Sequence, residues 1–365
     1  MKDIYEIAVV HGDGIGPEVC AAAVEVVKAA LGNRSHLNFR EYPAGAEHFL
    51  KTGESFPEPT FNACRNADAI LHGAGGIPGV VHPDGTEAGL DFTLRLRFEL
   101  DLYANIRPIR LFEGVACPLA GVKAGEIDYI ILRENSEGLY AARGAGVQLR
   151  GELAVDSLVQ TRSGVERIAR KAFELARQSN GAPRDGVKRV TCCDKANVLR
   201  SYAFFRSVFD LVAPDYPDIE TEYVLIDAMT MHLVLKPGHF NVIVTENMFG
   251  DIISDLGAAT IGGMGLAPSA ELGDRNGFFQ AAHGSAPDIA GKGIANPYGT
   301  VLSAAAMLDW LGTKHADRIL SEAATNIRNV TNTALASGCL SADLGGSWKS
   351  ADITQFLCER LARLH

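Results

Sequence analysis

Strand-like and helix-like segments alternate along most of this chain, and this alternation is the strongest constraint on its fold. The apolar, β-branched runs Ile7–Val10 and Val242–Thr245 indicate buried strands. The stretch from Pro17 to about Leu31 follows the first run and has a helical pattern, with Pro17 suited to the first helical position. Because strands that alternate with helices are typical of parallel sheets, the sequence predicts a layered α/β fold with a mostly parallel sheet.

Further segments extend this pattern. Short strands are predicted at Ala69–Leu71, Tyr129–Leu132 and Val187–Cys192, and helices at Val165–Gln178, Ser303–Leu311 and Ala316–Leu335. A chain of 365 residues is long for one hydrophobic core, so two domains are predicted. Since no low-complexity linker is present, short crossings should join the two domains.

Composition excludes several classes of function. The formal net charge of -10 argues against general binding of nucleic acid, which requires a basic surface. Seven irregularly spaced cysteines suit neither a disulfide framework nor a zinc site, so we expect a reducing, cytoplasmic context. The chain reaches its first strand without a signal-peptide pattern. The uncharged stretch Leu256–Ala270 is broken by Pro268 and is too short to cross a membrane.

The run that follows the strand Val242–Thr245 carries a pair of acidic residues. It opens with Asn247, which the pattern predicts as a helix cap. Asp251 and Asp255 are four residues apart and should share one face of that helix, where like charges repel. A divalent cation with oxygen ligands would offset the repulsion, whereas a solvated helix face is the alternative.

Several arginines lie in or beside apolar segments. Arg97, Arg107 and Arg133 each require a partner there, and a carboxylate held by two hydrogen bonds is the strongest one. An internal Asp or Glu is the alternative partner for each of them. Together with the paired aspartates, the three arginines suggest a di- or tricarboxylate substrate.

Two glycine-rich segments differ in their chemistry. The turn His11-Gly-Asp-Gly-Ile-Gly-Pro-Glu lacks the spacing of a dinucleotide fingerprint, and its acidic side chains would repel a pyrophosphate, so the glycines indicate a tight strand-to-helix turn. The P-loop pattern is missing.

The loop from His283 to Pro297 has few large side chains, which suits close approach of backbone to a ligand. There Asp288 is suited to binding ribose hydroxyls and to disfavouring a 2′-phosphate, although an ordinary ordered loop remains the alternative.

Lys195 follows an apolar strand, in Asp194-Lys-Ala-Asn197. A lysine at a strand end beside a cleft is able to act as a base. A surface lysine is the alternative.

These segments together resemble the decarboxylating β-hydroxyacid dehydrogenases, the family of the isocitrate and isopropylmalate dehydrogenases. The resemblance runs from Gly12 to about Trp310 and joins the glycine turn, the arginines, Arg133-Glu-Asn-Ser-Glu-Gly-Leu-Tyr140, Lys195-Ala-Asn, Asp227, the aspartate pair and the loop His283–Pro297. It implies a non-Rossmann α/β fold in two domains. The implied cofactor domain is 1–102 plus 262–365, and the implied substrate and dimerisation domain is 103–261, with a clasp at about 141–160.

The resemblance also implies how the site works. It implies a homodimer with shared active sites, in which Lys195 and Asp227 act in the neighbouring subunit's site. It assigns catalysis to Tyr140, Lys195 and Asp227, and Mg²⁺ or Mn²⁺ binding to Asp227, Asp251 and Asp255. The substrate-binding residues are then Arg97, Arg107, Arg133, Thr93, Leu94 and Asn197.

The implied cofactor is NAD. Its binding residues would be Ile15, His283, Gly284, Ser285, Ala286, Pro287, Asp288, Ile289 and Asn296. Asp288-Ile289 is similar to the NAD-using members, since the NADP-using members carry Lys-Tyr at these positions. The implied reaction is oxidative decarboxylation of a 3-substituted (R)-malate.

The substituent on the third carbon of the substrate should be recognised by the segment Leu90–Arg95. Isocitrate dehydrogenases place Ser and Asn at Asp91 and Thr93, and a carboxylate at Asp91 would repel a third substrate carboxylate unless Arg95 neutralised it. Isopropylmalate enzymes place leucines here, and Leu90 and Leu94 match. The sequence therefore favours 3-isopropylmalate, with tartrate or D-malate dehydrogenase and a non-catalytic regulatory subunit as alternatives.

Overall fold

The computed structural model describes residues 2, 4–34, 36–83 and 85–364. The strands in this described part are β1 (Tyr5–Gly12), β2 (Leu37–Glu41), β3 (Ala69–Ala74), β4 (Ala104–Arg110), β5 (Asp128–Glu134), β6 (Val147–Leu149), β7 (Leu153–Val155), β8 (Arg189–Asp194), β9 (Glu220–Leu225), β10 (Val242–Thr245), β11 (Pro268–Leu272) and β12 (Gly277–Ala281).

The α-helices of the same residues alternate with these strands over much of the chain. They are α1 (Gly16–Leu31), α2 (Ala46–Thr52), α3 (Glu58–Asn66), α4 (Leu90–Glu99), α5 (Arg162–Gln178), α6 (Arg200–Val212), α7 (Ile226–Leu235), α8 (Asn247–Thr260), α9 (Tyr298–His315), α10 (Arg318–Ala336) and α11 (Ser350–Ala362). The predicted α/β class is confirmed. Within the described ranges, none of the helices combines the length and apolar character that crossing a bilayer requires.

The described residues form two compact units. The first unit falls within Met1–Leu100, Phe112–Ala116 and Gly262–His365, and the second within Asp101–Leu111 and Cys117–Ile261. The first unit is therefore built from the two outer parts of the chain and the second from its middle. The binding roles assigned to the two domains remain predictions.

In the first unit the strands lie in the order β2-β1-β3-β12-β11. The β11–β12 pair is antiparallel and the other pairs are parallel. Helix α1 packs against α9 and α11, and its buried face is small and aliphatic. Strand β3 is buried along its whole length, as expected for a parallel strand that is covered on both faces.

In the second unit the strands lie in the order β4-β5-β10-β8-β9, and of these pairs only β4–β5 is antiparallel. The helices α5 and α6 supply aromatic side chains to its core, among them Phe173, Phe205 and Phe209. The parallel register sets Arg133, Thr245 and Cys193 side by side at the ends of their strands. Segments that follow these strands therefore start at one edge of the sheet, where α/β proteins commonly place their sites.

The start of α8 differs from the sequence prediction. Glu246 is the cap, and its side chain accepts a hydrogen bond from the Phe249 amide at 3.0 Å. Asn247 is already helical and its side chain contacts other groups, so the prediction that Asn247 caps this helix is wrong. A glutamate side chain is long enough to accept a hydrogen bond from the third backbone N–H of the helix. The side-chain amide of Asn247 is therefore available for another partner.

Other predicted boundaries shift by a few residues. Helix α5 begins at Arg162 because Thr161 caps it and accepts from the Gly164 amide at 3.0 Å. The helix predicted at Ser303–Leu311 is longer and spans Tyr298–His315, and the helix predicted to start at Ala316 starts at Arg318. Ala316 has a φ of +53° and ends α9, and Asp317 caps α10. A left-handed residue followed by an aspartate cap separates two helices without a glycine or proline signal.

Candidate active site

Acidic and basic side chains meet at one edge of the sheet in the second unit. Arg133 on β5 is paired in register with Thr245, so it lies beside the start of α8. On that helix Asp251 and Asp255 share the guanidinium of Arg107 from β4. Arg107 Nη1 lies 3.4 Å from Asp251 Oδ1 and 3.7 Å from Asp255 Oδ1. The structure thus brings these four predicted site residues together.

Arg133 is almost completely buried beneath α8, with 1% of its surface exposed. Its Nε and Nη2 donate to Asn247 Oδ1 at 2.9 and 2.7 Å, and its Nη1 donates to Asp251. A Cβ atom on Gly250 would lie only 2.6 Å from Arg133 Cβ, so a glycine is required for this close packing. Arg133 is therefore bound by side chains of the protein itself, Asn247 and Asp251, which is the alternative to a substrate carboxylate.

Arg107 forms a second positive group beneath the two aspartates. Its Nη1 donates to Ser254 Oγ at 2.5 Å, and its side chain is 8% exposed. Burial raises the pKa of the Asp255 carboxyl, Arg107 opposes that shift, and the neighbouring Asp251 adds to it. The Asp255 side chain remains 54% exposed. Exposed carboxylate oxygens are the donors that Mg²⁺ and Mn²⁺ prefer, so the chemistry of this pair fits such an ion.

Tyr140 completes this cluster from a short 3₁₀ turn. Its hydroxyl donates to Asp251 Oδ2 at 3.3 Å, and its ring centre lies 5.6 Å from the central guanidinium carbon of Arg133. Burial and then the negative charge of Asp251 raise the pKa of the Tyr140 phenol. The phenol therefore keeps its proton near neutral pH, as a proton donor must.

Lys195 and Asp227 form a separate ion pair in the second unit. Lys195 follows β8, Asp227 lies in the first turn of α7, and Lys195 Nζ is 2.6 Å from Asp227 Oδ1. The hydrogen bond from Lys195 lowers the pKa of the Asp227 carboxyl. Asn197 is exposed in the turn after Lys195. Their predicted roles in a neighbouring subunit's site remain predictions.

The three predicted metal ligands are not all gathered in one chain. Asp251 and Asp255 lie together, whereas Asp227 is paired with Lys195. In the part of the chain that the structure describes, no group of three or more His, Cys, Asp or Glu side chains is arranged to hold a metal ion. The described part of the chain therefore brings two of the three predicted ligands together, and the place of Asp227 in a shared metal site remains a prediction.

In the first unit, Arg97 is held by a carboxylate that the sequence analysis missed. Its Nε and Nη2 each lie 2.7 Å from an oxygen of Glu271 on β11, and Glu271 is fully buried. The Gln280 amide also donates to Glu271, at 2.8 Å. The available signal was a carboxylate between Ala270 and Leu272 in an apolar strand, since a buried charge requires a partner.

The neighbouring predicted substrate residues have unequal access to solvent. The Thr93 hydroxyl donates to the Leu90 carbonyl at 3.0 Å and the residue is 8% exposed, so its polar atom is already satisfied within α4. Leu94 is half-buried, and Leu90 is 43% exposed. This face of α4 thus presents leucine rather than a hydroxyl.

The predicted cofactor loop packs on the turn that precedes α1. The Ile15 amide donates to the Ser285 carbonyl at 2.8 Å, and Ala286 and Ile289 pack against the buried cluster that contains Ile15. A Cβ atom on Gly14, whose φ is +57°, would lie 2.0 Å from the Ser285 carbonyl oxygen. The glycine turn therefore permits a close approach of two backbones, which agrees with the tight-turn interpretation.

Other residues of this loop are exposed or tied to nearby backbone. Asp288, Pro287 and Gly284 are exposed. Asn296 donates to Asp343 at 3.0 Å and accepts from the Tyr298 amide at 3.0 Å. Among the described residues, the buried Nε2 of His283 has no hydrogen-bond partner, and burial lowers the pKa of this histidine.

Asp13 has a structural role that the sequence analysis did not assign. Its buried carboxylate accepts from the backbone amides of Ala46, Glu47 and Gly76 at 2.9, 2.7 and 2.8 Å. Three such bonds satisfy a charge without a cation. Asp13 therefore ties the glycine turn to the start of α2 and to the loop that follows β3.

Comparison with known proteins identifies the family. The model of the isocitrate/isopropylmalate dehydrogenase family matches residues 6–359. This chain belongs to that family. A 3-isopropylmalate/3-methylmalate dehydrogenase from Methanocaldococcus jannaschii is 41% identical over 359 residues, which cover 98% of this chain and 99% of the relative. A 3-isopropylmalate dehydrogenase from Corynebacterium glutamicum is 41% identical over 335 residues, covering 90% of this chain and 94% of the relative.

Solved structures of the family have the same fold. An isocitrate dehydrogenase from Methylococcus capsulatus superposes with a TM-score of 0.85 at 33% identity, covering 98% of this chain and 100% of that chain. A β-decarboxylating dehydrogenase from Thermococcus kodakarensis superposes with a TM-score of 0.78 at 38% identity, covering 99% and 97%. The predicted family and fold are confirmed.

Proposed function

We propose that this family member oxidatively decarboxylates a 3-substituted (R)-malate with NAD and a divalent metal ion, and that its preferred substrate is 3-isopropylmalate. The observation that carries the proposal is the cluster of Arg107, Arg133, Tyr140, Asp251 and Asp255 at one sheet edge. It combines positive groups for carboxylates, oxygen ligands for a metal and a proton donor. The names of the relatives with about two-fifths identity support the substrate class.

The two bound groups would supply the chemistry that side chains lack. NAD accepts a hydride, and Mg²⁺ or Mn²⁺ acts as a Lewis acid that stabilises developing negative charge on oxygen. Asp251 and Asp255 would hold the metal, together with Asp227 of a neighbouring subunit. The loop His283–Asn296 would bind NAD, with Asp288 favouring the 2′-hydroxyl over a 2′-phosphate.

The side chains of the chain would bind the substrate and move protons. Arg107 and Arg133 would orient its carboxylates, with Arg97 as a further ligand. Lys195 would take the proton of the substrate hydroxyl, after its own proton has left and its contact with Asp227 has changed. Tyr140 would donate a proton to the product carbon, and its raised pKa keeps the phenol protonated before that step.

The proposal includes a homodimer. Strands β6 and β7 form a hairpin whose four valine and leucine side chains are each about half exposed. Apolar side chains on such a hairpin are suited to pairing with a second copy. Light scattering of the purified protein measures the assembly directly, and a monomer at micromolar concentration would contradict this part of the proposal.

The first test is NADH formation with Mn²⁺ on a panel of 3-isopropylmalate, D-malate, L-tartrate, isocitrate and homoisocitrate. We expect the highest kcat/KM with 3-isopropylmalate. Asp251→Asn and Lys195→Ala should each lower kcat by about 100-fold or more. The matched control is Asp352→Asn, which removes an exposed carboxylate of α11 and should leave kcat unchanged. Turnover without NAD, or none on the whole panel, would refute the proposal.

A further inference from the structure

Asp91 lies in the first turn of α4, and its carboxylate is occupied by local partners. Its Oδ1 accepts from the Gly89 amide at 2.8 Å. Its Oδ2 accepts from the Ser55 hydroxyl and lies 3.3 Å from His82 Nε2. The Asp91 side chain is 31% exposed and Ser55 is 5% exposed. The carboxylate thus binds protein groups on both of its oxygens.

These partners come from separate segments of the first unit. Ser55 lies between α2 and α3, and His82 lies in the loop that precedes α4. The His82 ring also packs edge-on against Phe49 of α2, with 4.7 Å between the ring centres. Gly89, at a φ of +94°, leads into α4 without a side-chain cap. Asp91 therefore joins the first turn of α4 to two loops.

Asp91 and the leucines Leu90 and Leu94 lie on different faces of α4. On a helix with 3.6 residues per turn, Leu90, Leu94 and Arg97 share one face. Asp91 shares another face with Arg95, which pairs with Glu58 of α3 at 2.7 Å. Asp91 and Arg95 thus attach α4 to the segment around α3, and the leucines lie on the adjoining face.

We infer that Asp91, with Ser55 and His82, is a positioning group that fixes the first turn of α4 and thereby sets how Leu90 and Leu94 discriminate the third-carbon substituent of the substrate. This inference rests on the proposed function. It differs from the expectation that Asp91 faces a third substrate carboxylate and repels it, because both of its oxygens are directed at Gly89, Ser55 and His82.

The side chains of Ser55, His82 and Asp91 do not form a hydrolytic triad. In such a triad the histidine lies between the nucleophile and the carboxylate. Here the carboxylate lies in the middle and accepts from both of the others. The serine hydroxyl donates to a carboxylate rather than to a base that could activate it, so this arrangement fixes geometry.

The test compares substrates with and without the substituent. The ratio of kcat/KM for 3-isopropylmalate to that for D-malate is measured with NAD and Mn²⁺ for the wild type, Asp91→Asn, Ser55→Ala and the double variant. We expect each single change to lower the ratio by about tenfold, through a higher KM for 3-isopropylmalate, with little change for D-malate. The double variant should be no worse than the worse single variant, because both remove one junction.

The matched control is Glu99→Gln, which removes a carboxylate at the other end of α4 that pairs with Arg95 on the surface. It should leave the ratio within about twofold of the wild type, as expected for an exposed ion pair. Hydrogen exchange of the amides around residues 80–94 gives a second readout. It should accelerate in Asp91→Asn and Ser55→Ala but not in Glu99→Gln.

The outcomes separate the two claims. A wild type with no turnover on the panel refutes the proposed function and, with it, this inference. An active wild type whose ratio is unchanged by Asp91→Asn and Ser55→Ala refutes the inference alone. A gain of isocitrate turnover in Asp91→Asn but not in Ser55→Ala would show that Asp91 contacts the substrate directly, which also overturns the positioning role. Equal losses on both substrates would indicate general structural damage and would overturn it too.

Discussion

At the scale of single residues, the buried arginines differ in what neutralises them. Arg97 is held by both oxygens of Glu271, whereas Arg133 receives an amide oxygen and one carboxylate. An arginine matched by a bidentate carboxylate forms a nearly neutral pair. Two guanidinium nitrogens of Arg133 donate to the uncharged side-chain amide of Asn247. This contact offsets less of the arginine's positive charge than a carboxylate would. Under the proposed function, we therefore expect Arg133 to attract a substrate carboxylate more strongly than Arg97 does.

Asn247 should support Arg133 rather than cap α8. In Asn247→Ala, two guanidinium nitrogens lose their shared acceptor in a buried site, so the free energy of unfolding should fall by about 2 kcal/mol. The KM for the dicarboxylate should rise as well. Urea denaturation measures the first effect, with the exposed Asn197→Ala as the control for stability. An unchanged unfolding free energy in Asn247→Ala would contradict this role.

His72 should make stability depend on pH. It is 1% exposed and its Nδ1 lies 2.6 Å from the Val10 carbonyl oxygen. Burial lowers the pKa of its imidazole from 6.5 to about 4. Below pH 6.5 the imidazole is protonated in the unfolded chain, whereas in the folded chain it stays neutral down to about pH 4. The free energy of unfolding should therefore fall as the pH decreases from 6.5 to about 4.

Between pH 7 and pH 5 this effect should cost about 2 kcal/mol of unfolding free energy. Urea titrations at pH 7 and pH 5, on the wild type and on His72→Gln, isolate the contribution of His72. All other titrating groups are the same in the two proteins. The two proteins losing equal stability would mean that His72 is not responsible.

At the scale of elements, α8 brings its carboxylates to the arginine cluster because its first turns lie at the end of β10, next to β5. The Glu246 cap fixes where the helix begins, and a fixed start determines that Asp251, Ser254 and Asp255 point toward Arg107. A helix that began one residue later would rotate these side chains by about 100°.

If the aspartates of α8 bind a metal that also binds substrate, Mn²⁺ and 3-isopropylmalate should stabilise the protein jointly. The melting temperature should rise more with both present than the sum of the two separate increases, since each ligand favours the native state that binds the other. Asp255→Asn should remove most of this joint effect, while Asp352→Asn should keep it. Additive increases in the wild type would indicate independent sites.

At the scale of the whole molecule, the distribution of acidic groups has a consequence for assembly. Asp227 is paired with Lys195, apart from Asp251 and Asp255, so under the proposed function we expect the third carboxylate to come from a second copy of the chain. A dimer with two shared sites would draw Lys195 and Asp227 from one copy and the aspartates of α8 from the other.

Mixing two inactive variants tests this arrangement. In a dimer of one Lys195→Ala copy and one Asp251→Asn copy, both changes fall in one shared site and the other site is intact. Random reassociation should therefore restore about a quarter of the wild-type activity. Sites contained in single chains would give no recovery, because every site would carry one change. Reassociated Lys195→Ala alone serves as the background.

Much of the fold and several site residues could be predicted from the sequence by itself. The sequence predicts the strands β1, β5 and β10 because buried parallel strands are continuous apolar runs. It predicts the pairing of Asp251 with Asp255 because helical spacing is local. The family was recognised because several separate motifs occur in the right order. Each of these properties depends on residues that are near one another in the chain.

Only the tertiary structure decided which groups satisfy the charges. Glu271 lies far from Arg97 in the chain, and Ser55 far from Asp91, yet each pair is in contact because the fold joins distant segments. The Asn247 amide faces Arg133 because β5 and β10 are adjacent. Hydrogen-bond partners and burial depend on contacts that the spacing of residues does not encode, so the sequence determined the fold class and the chemical inventory, while the structure determined which of those groups are already bound to one another.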